Sequence, residues 1–393
     1  MRALFIDIGT RQHTRINNMI DTIVLTLTHE QFQITDPEAF TPSAEWATSN
    51  KSQRGMISRQ APTKAQLNKG IYTPRLTLAH RINEFRKRDI MLKIELSLPK
   101  LMFGNNFAEL RFKDFDAIVQ KLVTTLKKMG VNTKLEAICH APVSAIHYSK
   151  NICLTDGSTP NSYITKIRQA NIALSLDVNQ TEYRNEGHSF KWHANYYEVA
   201  FYDKIRDLEK AKISDKRAIE QDNELQMSIF DRLQKRRTFF EVLRMEVRLN
   251  RRAKIKSLFK KLGIKADLTF KKLFKPAIAK KVLLHYLDEI ESKRPKLLDY
   301  RATSAKALFT DLMFNNPDLG AKQIWQIYGF KTALDNIDIR ELRNMHTRFS
   351  DRTWFRLMED VNKIKLPPRT QNSFKVIREQ LEKLEPLKMP KKL

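Results

Sequence analysis

LRMEVRLN at 243–250 sets Leu243, Met245, Val247 and Leu249 against Arg244, Glu246, Arg248 and Asn250. Side chains on a strand point alternately to opposite faces, so this pattern reads as a β-strand with one apolar and one polar face. The same sorting works outward from it. In 92–98, Leu92, Ile94, Leu96 and Leu98 oppose Lys93, Glu95 and Ser97. In 143–149, Ile146 opposes His147 and Ser149. In 196–204, Tyr197, Val199 and Phe201 oppose Tyr196, Glu198, Ala200, Tyr202 and Lys204. The run IDTIVLTLT at 20–28 is a further strand by its β-branched content. Strands of this kind predict an α+β fold: an antiparallel sheet with helices packed on one face and water on the other.

The segments between are read more coarsely. IYTPRLTLAH (71–80) and MLKIELSLPK (91–100) are strands, and residues 30–70 are loop. KLEAICHAPVSAIHYSK (134–150) is one long or bent strand, and SFKWHANYYEVAFYDK (189–204) is another. Helices are expected near 114–129, stopped by Gly130, near 160–174, and at 208–237. After Asn250 the character changes. Between Arg251 and His285 there are twelve Lys or Arg against one acid, Asp267, with apolar residues at helical spacing. The rest of the chain reads as helices, the last at 374–385. The expected organisation is an extension at 1–18 (Met19 being a candidate functional start), a domain at 19–250, and a basic helical region at 251–393.

Of 393 residues, 71 are Lys or Arg and 44 are Asp or Glu, a formal net charge of +27. That excess points to a polyanionic partner. No apolar run is long enough to span a membrane, so no membrane partner is expected. The first residues lack the continuous apolar core of a signal peptide. Two cysteines, Cys139 and Cys153, exclude a disulfide scaffold and fit a reducing compartment. Without GxxxxGK[ST] or GxGxxG, neither an ATPase nor a dinucleotide site is expected.

The polar strand faces carry groups suited to phosphate chemistry. Glu95, His147 and Glu246 suit Mg²⁺ or Mn²⁺, the imidazole tilting toward Mn²⁺. Tyr202 is a candidate nucleophile. Lys204, Arg244 and Arg248 can meet phosphate charge. Each of these taken alone has a plainer role, as a cross-strand packing residue or a solvated ion pair; the set is what raises the chemical reading.

Four segments resemble the replication initiators of filamentous phages and related plasmids, the gene II/X type of rolling-circle initiator. They are IELSLPKLMFGNN (94–106), VSAIHYSKN (143–151), VAFYDKIRDLE (199–209) and RMEVRLNRRAKIKSLFKKLGI (244–264). Met-Ile-Asp at 19–21 matches how such proteins begin, and RTWFRLMEDV (352–361) has a weaker counterpart. The resemblance places the family's strand carboxylate on Glu95, its nucleophile and following lysine on Tyr202 and Lys204, and a later strand glutamate on Glu246. His147 stands where the family has Asp, a departure from its pattern. The His-hydrophobe-His motif of the wider superfamily is absent.

This resemblance implies a metal-dependent enzyme that nicks and rejoins origin DNA. Tyr202 would form a 5′-phosphotyrosyl link and free a 3′-OH for a host polymerase, with a host helicase separating strands, in the cytoplasm of a bacterial cell. Lys204 would stabilise the phosphate or lower the phenol pKa. Origin DNA, single-stranded or hairpin, would lie over the open polar face. Arg244, Arg248, Arg251, Arg252, Lys254, Lys256, Lys260, Lys261, Lys271 and Lys272 would grip DNA, the basic run holding the flanking duplex. The alternative is a non-enzymatic origin-binding replication protein, which explains the charge equally well and has no need of Tyr202, Glu95 and Glu246 on one face.

Overall fold

Ten strands pair in one antiparallel sheet. A computed structural model describes residues 17–46, 56–63, 72–82, 88–154, 156–170, 177–184, 188–194, 196–207, 241–367, 374–385 and 387. In chain order the sheet strands are β1 (Ile20–Thr28), β2 (Thr41–Trp46), β3 (Met56–Gln60), β4 (Arg75–Ile82) and β5 (Arg88–Ser97). There follow β6 (Val143–Cys153), β7 (Asp177–Arg184), β8 (Ser189–Ala194), β9 (Tyr197–Asp203) and β10 (Val242–Leu249). Across the sheet they run β7-β8-β9-β10-β6-β1-β5-β4-β3-β2. The fold is α+β, as expected.

The apolar side of every central strand is sealed. Ile23, Leu25 and Leu27 of β1, Ile94 and Leu96 of β5, and Met245, Val247 and Leu249 of β10 are all at 1 % exposure or less. They join one core with α2 (Phe115–Lys128), α4 (Pro160–Arg168) and α7 (Pro276–Lys293). Burial of a Leu or Ile side chain contributes roughly 1.5–3 kcal/mol, so this face is the main source of stability.

Several sequence expectations change. The stretch 189–204 is a hairpin, β8 and β9, rather than one strand. Residues 134–150 contain a short helix, α3 (Leu135–Cys139), before β6 begins. The expected loop at 30–70 contains β2 and β3. Residues 98–100 leave β5 as the helix α1 (Leu98–Phe103), with Pro99 in its first turn. The helix expected at 208–237 lies outside the described residues, as do residues 1–16. Asn17–Asn18 pair with Leu110–Arg111.

The core boundary also moves. The basic stretch after Asn250 forms α5 (Arg252–Lys261) and α6 (Phe270–Leu273), ahead of α7, and its apolar residues Ile255, Leu258, Phe259, Phe270 and Leu283 belong to the sheet's own core. The last helix, α12 (Lys375–Lys383), returns to the same core through Ile377 and Leu381. A second core spans Leu297 to Ile364 and is built from α8 (Ala305–Asn315), α9 (Ala321–Leu334), α10 (Ile339–Met345) and α11 (Asp351–Lys363). Composition changes at 251 because the exposed face turns basic; the buried face continues unbroken.

Candidate functional site

Register aligns the polar face into rows, because directly opposed residues of antiparallel strands share a face. Ser189, Tyr202, Arg244 and Asn151 form one row across β8, β9, β10 and β6. Lys191, Ala200, Glu246 and Ser149 form the next. His193, Glu198, Arg248, His147 and Thr22 of β1 form the third. Tyr202, Glu246, His147, Arg244 and Arg248 therefore do meet.

Arg244 is the buried end of this face. Its Nη2 donates to Ser149 Oγ at 2.8 Å and lies 3.0 Å from Asp21 Oδ1. Its Nη1 donates to the carbonyl of Asn106 at 2.8 Å and to Asn151 Oδ1 at 3.3 Å. The 104–109 loop reaches across the sheet to supply that carbonyl. Gly104, at φ 71°, ends α1 in the left-handed region and lets the chain turn there. This end of the polar face is thus covered, where water was expected, and Arg244 is an internal tie rather than a DNA contact.

Asp21 was missed by sequence sorting, since its parity with Ile23 and Leu25 assigns it to the apolar face. A break in the β1–β6 register between Thr22 and Ile20 makes it the extra residue and turns it toward Arg244.

Glu246 is 3 % exposed and is the hub. Arg248 holds both its oxygens, Nε to Oε1 at 3.0 Å and Nη2 to Oε2 at 3.2 Å. Tyr202 donates its hydroxyl to the same Oε2 at 3.1 Å. His147 Nδ1 stands 3.9 Å from Oε1, and its Nε2 lies 3.1 Å from Asn250 Oδ1. Burial alone would raise the Glu246 pKa; the adjacent Arg248 and Arg244 outweigh it and hold the carboxyl well below the usual range. Arg248 Nη1 also donates to Glu198 Oε2 at 3.2 Å. Glu198 in turn stands 3.4 Å from His193 Nδ1.

Burial pushes the Tyr202 phenol well above its ordinary value, against the pull of Arg244 and with a further push from Glu246. The expected lowering of that pKa is therefore not found. Lys204 is sealed, with Nζ 3.5 Å from Asp207 Oδ2 and 5.7 Å from the Tyr202 ring centroid. Burial and then Arg244 lower its pKa to about 8.

Glu95 is not part of this cluster. It shares the polar face, but it is opposed by Val24 and Arg75 on β1 and β4, and β5 lies three strands from β10. At about 4.8 Å per strand that is about 14 Å from Glu246 before any offset along the strands. Glu95, His147 and Glu246 thus do not converge on one ion. Among the described residues no three of His, Cys, Asp and Glu stand close enough to share one. Parity assigns a residue to a face, but strand order decides its neighbours.

The basic residues divide. Arg252 Nη1 donates to the carbonyls of Val143 and Leu268 at 3.0 and 3.1 Å, Arg251 stacks on Tyr196, and Lys254 Nζ stands 3.6 Å from the Tyr197 ring centroid. Lys256, Lys260, Lys261, Lys271 and Lys272 are exposed. Arg252, Lys256 and Lys260, at i, i+4 and i+8 on α5, line a cavity of about 440 Å³ with Asp267 and Thr269.

Searches of protein-family models, of curated proteins and of solved structures each returned no match. Among the described residues no helix is long and apolar enough to cross a membrane.

If the chain cleaves DNA strands, as the resemblance implies, and the observed geometry rather than the expected ligand set governs that chemistry, Glu246→Gln lowers cleavage at least ~100-fold, whereas Glu95→Ala changes it less than ~3-fold. The check is cleavage of a labelled oligonucleotide across a Mn²⁺ and EDTA series. Equal losses in the two variants would restore Glu95 to the site.

Proposed function

We propose that the chain is a DNA strand-nicking and rejoining enzyme of the rolling-circle initiator kind, with Tyr202 as its nucleophile. The observation that carries the reading is the Tyr202–Glu246 hydrogen bond on a strand face that also holds Arg244, Arg248 and His147, with Lys204, just past the end of β9, 5.7 Å from the Tyr202 ring centroid. A phenol paired with a carboxylate beside fixed cations is what attack on a phosphodiester requires.

The oxygen of Tyr202 attacks phosphorus, the bond to the 3′-oxygen breaks, and the phenol proton passes to Glu246. The 3′-oxygen leaves as a hydroxyl after taking a proton from solvent. The product is a 5′-phosphotyrosyl link, and attack on it by a 3′-OH reverses the chemistry and rejoins a strand. Arg248 is the one of the three nearest cations with an exposed part: a third of its side chain is open, against 3 % for Arg244 and none for Lys204. An entering phosphate competes with Glu246 for its guanidinium, and Glu246 released from that pairing is a better base. Mg²⁺ or Mn²⁺ is the cofactor the resemblance implies, but the ligand set it names does not converge, and the protein groups above carry each step. A host polymerase would extend the 3′-OH, and a host helicase would open the duplex.

One observation favours a non-enzymatic origin-binding protein: both oxygens of Glu246 are taken by Arg248. Tyr202→Phe decides between the two. It abolishes nicking of a supercoiled origin plasmid and leaves binding within ~3-fold if the reading is right; retained nicking refutes it.

Lys204, sealed 5.7 Å from the Tyr202 ring centroid, offsets the charge of a bound phosphate through space only while protonated. Its lowered pKa puts that charge below about pH 8, so cleavage falls as pH rises through about 8. Lys204→Arg stays charged, and its alkaline limb is flat. Parallel decline of both proteins in a pH–rate series would remove Lys204 from this role.

The exposed lysines of α5 and α6 are proposed to hold flanking duplex. Changing Lys260, Lys261, Lys271 and Lys272 together to Gln weakens duplex binding. It also flattens the slope of log affinity against log salt by about one for each phosphate no longer held, up to about four. An unchanged affinity and slope would make this face a solubilising surface only.

A further inference from the structure

The polar face ends in the open at Asn250, just beyond β10, and the β8–β9 hairpin places an aromatic ring there. Tyr196 is 44 % exposed. Its carbonyl accepts the backbone N–H of Asn250 at 2.9 Å, which fixes the hairpin beside the start of α5. The guanidinium carbon of Arg251, itself exposed, stands 4.5 Å from the Tyr196 ring centroid. Asn250 Oδ1 in turn lies 3.1 Å from His147 Nε2. An exposed ring with a cation on it is therefore joined, through one asparagine, to the row that holds His147 and Arg248.

Tyr196 shares parity with Tyr202, which makes it the rival nucleophile from sequence. The surroundings separate them. Tyr202 donates to Glu246, whereas the Tyr196 ring lies against the guanidinium of Arg251. A tyrosine set against a cation suits binding better than attack, which needs a base.

We propose that Tyr196, backed by Arg251, is a stacking platform for one base of single-stranded DNA, a few nucleotides from the scissile phosphate. Four residues along β10 separate Asn250 from Glu246, about 13 Å at strand rise. Every nucleobase has a π-face, so such a platform holds a strand without fixing its sequence, and stacking on an aromatic ring tolerates any of the four bases. Arg251 adds attraction for the adjoining phosphate and presents a cation to the ring. This inference rests on the nicking reading and assigns the substrate strand its path across the open end of the face.

Two variants test it with single-stranded oligonucleotides carrying the nick site. Tyr196→Ala weakens binding roughly 10- to 100-fold, while Tyr196→Trp keeps a ring and binds as tightly as the parent. The added Trp fluorescence, taken as the difference from the parent with its four native tryptophans, is quenched when the oligonucleotide binds. A scan with single abasic positions then finds one site where base removal costs the parent the same factor and costs Tyr196→Ala nothing further. Equal losses in both proteins at every abasic position, or no quenching of Trp fluorescence in Tyr196→Trp, overturn the platform while leaving the nicking reading intact. A parent protein that binds no single-stranded oligonucleotide overturns the nicking reading itself.

Discussion

The guanidinium of Arg244 is sealed from water in the middle of a sheet, and a charge so placed has to be met from several sides at once. Ser149 and Asn151 meet it from β6, Asp21 from β1, and the carbonyl of Asn106 from the loop after α1. Those partners come from widely separated parts of the chain. Their convergence ties β10 to β6 and to β1 beyond it, anchors the covering loop, and sets the floor against which the cross-strand neighbour Tyr202 lies. Removing any one of them leaves a buried charge short of a partner, so the arrangement is demanding in geometry whatever its net contribution to stability.

From that floor outward the site grades from closed to open. Arg244, Lys204 and Glu246 are buried, Arg248 is partly open, and Tyr196 stands at the surface. Fixed charge lies deepest, where the surroundings screen it least, and the groups that must meet a large polyanion lie nearest to solvent. Glu246 joins the two regimes, since Tyr202 and Arg248 both donate to one of its oxygens. On the proposed reading, phosphate binding and nucleophile activation share that oxygen, and neither proceeds far without the other.

Much of this was legible in the chain. Strand alternation is local, and it assigned Tyr202, Glu246, Arg244, Arg248 and His147 to one face. Glu95 was assigned to that face correctly and to the cluster wrongly, because the placing of β1 and β6 between β5 and β10 depends on contacts far apart in sequence. Asp21 was hidden by a bulge, which reverses parity at a single residue. The β8–β9 hairpin is hidden in the sequence because Ala-Asn-Tyr at 194–196 has neither Gly nor Pro to announce a turn. The boundary set at Asn250 followed charge, a property of exposed faces, whereas the core continues through Ile255, Phe270 and Leu283.

The central claim is that the Tyr202 oxygen forms a covalent link to DNA. The most direct measurement is mass spectrometry of peptides from the protein after reaction with a single-stranded oligonucleotide carrying the nick site. The account predicts a nucleotide mass on the peptide containing Tyr202 and none on the one containing Tyr196. A nucleotide on any other residue, or cleaved DNA with no protein-linked product, would contradict it.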